Sequence, residues 1–190
     1  MDFDYASLQR PRIKLFCLNG IIEGTLGWGT LFRTLDELNL ASREFVLLHS
    51  PTVTGTAWPI EGSPLAINKS SILFALELSD NPYKSDGRAE VSLYRRVPVR
   101  IFMAEYTVQG LMYIPAGGDP MRKFNQGDAS FIAVTSASIM GSQVQLSVPF
   151  VAVNLSHVVV AYAEPEEKEK TDPVAETEAF HEDSPEAILE

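Results

Sequence analysis

Alternation of apolar and polar positions is the first regularity in the chain. Ile13, Leu15 and Cys17 alternate with Lys14, Phe16 and Leu18, the two-residue period of a strand with one buried face. Asn19-Gly20 then supplies two residues that tolerate positive φ, so the pattern predicts a hairpin, with Ile21 to Leu26 returning as the second strand. Gly24 falls inside that strand, where glycine marks a bulge or a tight bend. Leu31, Leu35 and Leu38 keep a helical spacing, and Phe45 to Val53 reads as a third strand ending near Gly55. Two last strands flank Asn68, a residue type that tolerates a left-handed backbone and suits a tight turn.

The same pattern returns 86 residues later without a gap, Arg10 to Glu77 lying over Arg96 to Ala163. RIKLFCLNGIIEGTL matches PVRIFMAEYTVQGLM, FVLLHSPTVTG matches FIAVTSASIMG, and LAINKSSILFAL matches VAVNLSHVVVAY. Phe16/Phe102, Gly24/Gly110, Asn39/Asn125, Phe45/Phe131, Ser50/Ser136 and Asn68/Asn154 are identical pairs. A repeat with a constant offset argues for one unit copied whole. In the second copy the helical signal is clearer: Asp119 can cap, Pro120 suits the first helical position, Met121 and Phe124 share a face, and Gly127 stops the run. The predicted organisation is an N-terminal extension (1–9), a first repeat (10–77), a linker with Asn-Pro and Asp-Gly turn signals (78–94), a second repeat (95–163) and a tail (164–190).

Charge sharpens this division. The net charge of -10 is concentrated in residues 164–190, which hold eleven acidic and two basic residues, against 14 acidic and 13 basic over residues 1–163. The tail has too little apolar content to order itself, so it reads as disordered and acidic. It is either a solubility tether or a linker that delivers Ile188 and Leu189, which follow a Ser-Pro helix start, to a partner groove. No stretch is apolar enough to span a bilayer, and MDFDYASLQRPR lacks the apolar segment of a signal peptide. No membrane insertion and a cytoplasmic location are therefore expected.

The blocks IKLFCLNGIIEGTL, FVLLHSPTV and LAINKSSILFA resemble the two motifs of Sm-like small β-barrels: a first strand, a Lys/Asn-Gly turn, a glycine in a bent second strand, and a closing strand-turn-strand. The second copy also resembles an uncharacterised bacterial domain of about this size. The resemblance implies an all-β fold of two tandem small five-stranded β-barrels (Sm-like or SH3-like), each with a short helical insertion. It also implies open strand edges able to pair between subunits of a homo-oligomer. The RNA-contacting residues of Sm-like proteins do not transfer, because the final turns here read Asn68-Lys69-Ser70 and Asn154-Leu155-Ser156. A partial similarity to PilZ cyclic-dinucleotide-binding barrels rests on Arg96-Val-Pro-Val-Arg100 and on Ser136-Ala-Ser138-Ile-Met-Gly141, with that family's acidic or amide residue missing.

Candidate chemistry is sparse. His49, His157 and His181 have no carboxylate or thiol spaced to complete a metal site, no nucleophile constellation or phosphate-binding glycine loop is present, and no cofactor is implied. Cys17 lies in an apolar run and reads as an inert thiol. The sharpest site candidates are the cations before each first strand, Arg10, Arg12 and Lys14 in one copy and Arg95, Arg96 and Arg100 in the other. They can hold a phosphate or an acidic peptide, serve as solvated strand ends, or dock the tail. Trp28, Phe32 and Trp58 are either partner contacts or lids on their own cores. The expected role is a non-enzymatic protein-binding adaptor or scaffold component of a bacterial cytoplasmic complex. The alternative is nucleic-acid or nucleotide binding through the basic rims.

Overall fold

A computed structural model describes residues 10–27, 33–56, 60, 62–78, 93–125, 127, 129–142 and 144–165. Trp28, Phe32, Trp58, His181, Ile188, Leu189 and nearly all of the tail lie outside these residues. The first repeat supplies β1 (Arg12–Cys17), β2 (Gly20–Leu26), α1 (Thr34–Leu38), β3 (Phe45–Thr54), β4 (Leu65–Asn68) and β5 (Ile72–Glu77). The second supplies β6 (Tyr94–Phe102), β7 (Tyr106–Pro115), α2 (Arg122–Asn125), β8 (Phe131–Gly141), β9 (Gln145–Asn154) and β10 (Val160–Ala163). All strands join one antiparallel sheet in the order β10-β6-β7-β8-β9-β5-β1-β2-β3-β4.

Each repeat thus contributes five adjacent strands in the same relative order, its fifth strand beside its first. The pairings do not close either set into a separate barrel, as the sequence led us to expect. Instead β9 of the second repeat pairs with β5 of the first, and the sheet runs on through that seam to two end strands, β10 and β4, each of which pairs on one side only among the described residues. Sharing the seam covers both apolar faces of β5, whose residues Ile72 to Leu76 are all buried, whereas the equally apolar β10 is left without that cover.

The repeat is visible in backbone detail. Gly24 of β2 faces two residues of β3, Ser50 and Pro51, in a bulge, and Gly110 of β7 faces Ser136 and Ala137 of β8 in the same way. Ser50 and Ser136 take the left-handed conformation, with φ of 48° and 47°. A Cβ on Gly24 would lie 3.0 Å from the His49 carbonyl oxygen, and one on Gly110 would lie 2.7 Å from that of Thr135. Close approach at the bend therefore requires glycine at both positions.

Two local expectations are corrected. The first hairpin turns on Leu18-Asn19, because Cys17 pairs with Gly20 and Gly20 already opens β2. Asn68 and Asn154 are extended, with φ of -66° and -77°, and act through their side chains: each Oδ1 accepts the amide two residues on and caps a single 3-10 turn. In α2 the expected cap is present, Asp119 Oδ1 accepting from the Met121 amide at 2.9 Å.

The core has two parts, and each crosses the repeat boundary. Phe16, Phe74 and Leu76 of the first repeat pack among Val99, Val108, Ile139 and Val153 of the second. Phe131 and Ala152 of the second repeat pack among Ile13, Leu15, Val46 and Leu48 of the first.

Candidate functional site

Arg12 and Lys14 of β1 and Arg96 and Arg100 of β6 alternate with the buried Ile13, Leu15, Val97 and Val99 and so face outward, whereas Arg10 precedes β1 and Arg95 shares the parity of Val97 at the exposed start of β6. Lys14 Nζ lies 2.8 Å from Glu23 and Arg12 Nη2 lies 3.6 Å from the same carboxylate. Arg100, the counterpart of Lys14, meets Glu164 at 2.8 Å. Glu164 also accepts from Gln109 Nε2, and its amide donates to the Pro98 carbonyl, so this first residue of the expected tail belongs to the fold. Arg10 donates to the Gly27 carbonyl, Arg95 to that of Gly118, and Arg96 lies 5.4 Å from the ring centre of Tyr113. Each cation thus has a partner within its own repeat.

Ionisable groups elsewhere serve the scaffold. Lys69 is buried, and its Nζ donates to the carbonyls of Glu37 and Leu40 at the end of α1. Desolvation lowers its pKa, opposed by the negative Glu37. Glu37 in turn holds Arg43 at 2.9 Å. Burial lowers the pKa of Lys123, which donates to the Tyr113 carbonyl at 2.8 Å. Cys17 is pushed up to about 11 by burial, against a lowering hydrogen bond with Ser71, so it is a protonated thiol at neutral pH. His157 contacts the Ser70 carbonyl at 2.7 Å across the seam. Among the described residues no group of His, Cys, Asp and Glu is placed to hold a metal.

The resemblance implied open strand edges without saying which strands form them, and here they are the two ends of one shared sheet, β10 and β4. At the seam, Leu73, Phe74 and Leu76 are 8%, 0% and 3% exposed, whereas their counterparts Val159, Val160 and Tyr162 at β10 are 72%, 52% and 39% exposed. Phe131 is 1% exposed beside the seam, and its counterpart Phe45 beside β4 is 45% exposed. An apolar groove of about 330 Å³ adjoins β4, lined by Cys17, Gly20, Ile22, Phe45, Leu65 and Ile67 among others. The chain matches no protein-family model, no curated protein and no solved structure.

The signal for these ends was present in the repeat but silent without the pairing. Positions 73–76 and 159–162 have the same apolar character, and only the strand order decides which set is covered.

Proposed function

We propose that the chain is a non-enzymatic protein-binding scaffold whose working surfaces are the two open sheet edges. In this reading each repeat is an open, Sm-like five-stranded unit, the two units share one seam, and the acidic tail supplies a second contact in a cytoplasmic complex. The observation that carries the proposal is the exposure of Val159, Val160 and Tyr162 at one edge and of Phe45 at the other, where the equivalent side chains at the seam are buried. Unpaired strand edges with apolar side chains are the usual substrate for strand addition, main-chain hydrogen bonds giving affinity and side-chain pockets giving selectivity. The groove beside β4 is such a pocket.

A tagged full-length chain should recover a stoichiometric protein partner from cells, and Val160→Glu or Phe45→Glu should lose it while keeping the wild-type circular dichroism. Recovery unchanged by both substitutions would refute the edges as the binding surface. Nucleic-acid binding through the basic rims has less support, because Glu23 and Glu164 already neutralise Arg12, Lys14 and Arg100. A gel shift at low salt that vanishes in Arg96→Glu would favour it instead.

A further inference from the structure

We propose that the two free edges fit each other, so that β10 of one chain docks head to tail on β4 of a second copy with the geometry of the β5–β9 seam. The proposal rests on the edges being binding surfaces, and it names the occupant. Its template is inside the molecule, because each partner at the seam has a counterpart 86 residues away at an open edge.

Phe74, Ala75 and Leu76 pair with Val153, Ala152 and Val151. Their counterparts, Val160, Ala161 and Tyr162 on β10 and Ile67, Ala66 and Leu65 on β4, stand on the two outermost strands, in the same order. Side-chain hydrogen bonds repeat as well. Asn39 accepts from the Phe131 amide at 2.8 Å and donates to its carbonyl at 2.9 Å, which adds one strand-like pair beyond the seam. The counterparts Asn125 and Phe45 are the same residue types, and both are exposed. Asn154 Nδ2 donates to the carbonyls of Lys69 and Ile72. Asn68 has its Oδ1 on Ser70 just as Asn154 has on Ser156, but its amide NH2 meets no acceptor among the described residues. In the docked pair that group faces the carbonyls of Leu155 and Val158.

Side-chain bulk is redistributed in a complementary way. At the seam the stacked rings of Phe16 and Phe74 meet Tyr106 edge-on, at 6.1 and 5.1 Å. On the β4 side the counterpart of Tyr106 is Gly20, which lines the groove. On the β10 side the counterpart of Leu76 is Tyr162, stacked on Phe102 at 6.1 Å. The ring lost from the accepting surface reappears on the inserting one, offset in part by Val160 being smaller than Phe74. The acidic tail has no such set of counterparts to bring to β4. A contact between two different edges is heterologous, so it closes into a ring or extends as a filament according to the rotation at each step.

Sedimentation of the purified full chain at roughly 50 μM, a concentration that would populate a micromolar contact, tests this directly. The expected result is a species of several 21.0 kDa chains. Phe45→Glu and Val160→Glu each alter an exposed side chain and each leave one edge intact. Separately, each variant should sediment as a folded monomer. Mixed in equal amounts they should form a two-chain complex and nothing larger, because only one compatible pair of edges remains. A monomeric wild type, assembly retained by either variant, or two folded variants that do not pair would each overturn the proposal. Ala66→Glu with Tyr162→Glu is the second pair, used where a first variant loses its circular dichroism. A monomeric wild type that still shows edge-dependent capture of a different protein would remove the self-docking and leave the scaffold reading in place.

Discussion

Gly110 and Gly24 occupy the same bend, yet they differ in how tightly they are held. A Cβ at Gly110 would stand 2.7 Å from both the Thr135 carbonyl oxygen and Val134 Cγ1, while at Gly24 the nearest atoms are at 3.0 and 3.1 Å. Backbone cannot yield as a flexible side chain can. Gly110→Ala should therefore destabilise the protein by about 1–3 kcal/mol and Gly24→Ala by about half of that, read as shifts of the urea midpoint at constant slope. Cys17 gives a second residue-scale test. With its thiol pushed up to about 11, the folded chain at pH 8 holds on the order of 100-fold less thiolate than an unfolded one. Alkylation by iodoacetamide at pH 8 should be slower by a comparable factor in buffer than in urea. Equal rates would show that the thiol is not buried as described.

At the scale of elements, the same capped 3-10 turn does different work in the two repeats. Asn154 caps its own turn and also ties the Lys69 and Ile72 carbonyls across the seam, whereas Asn68 caps its turn only. Asn154→Ala should cost about 2–4 kcal/mol and Asn68→Ala about 1 kcal/mol, compared by chemical denaturation of the two variants. The five strands of each repeat were legible from alternation, the bend from glycine, and the α2 start from Asp119-Pro120, because all of these are set by local chemistry. The left-handed serines were not legible, since Ser50 and Ser136 are forced into that conformation by the bulge opposite glycine and not by their own preference. Nor was the seam. Phe16 looked like the polar-side member of a half-buried strand, and it is buried because the second repeat covers it. The basic candidates read as lying before each first strand, whereas Arg12 and Lys14 stand within β1 and Arg95, Arg96 and Arg100 within β6, and the pairing with Glu23 and Glu164 depends on register and contacts that spacing does not reveal.

For the whole molecule, the two interpenetrating core clusters predict one unfolding transition and not two. Phe74 packs in a cluster made mostly of second-repeat residues, so Phe74→Ala should lower the stability of the entire chain by about 3–5 kcal/mol, with far- and near-ultraviolet signals moving together. Val160→Ala, at the exposed counterpart, should change the melting of the isolated chain by under about 1 kcal/mol. Two separate transitions, with Phe74→Ala moving only one, would mean that the repeats fold independently. The seam has one more consequence, which follows from the strands on its two sides belonging to a single polypeptide. Its formation is unimolecular, so the connection between the repeats holds a fixed local concentration whatever the abundance of the protein. Dilution should leave the Phe74–Val153 pairing intact while any contact at β10 or β4 obeys mass action, so the molecule retains its paired unit at expression levels too low for anything to occupy its ends.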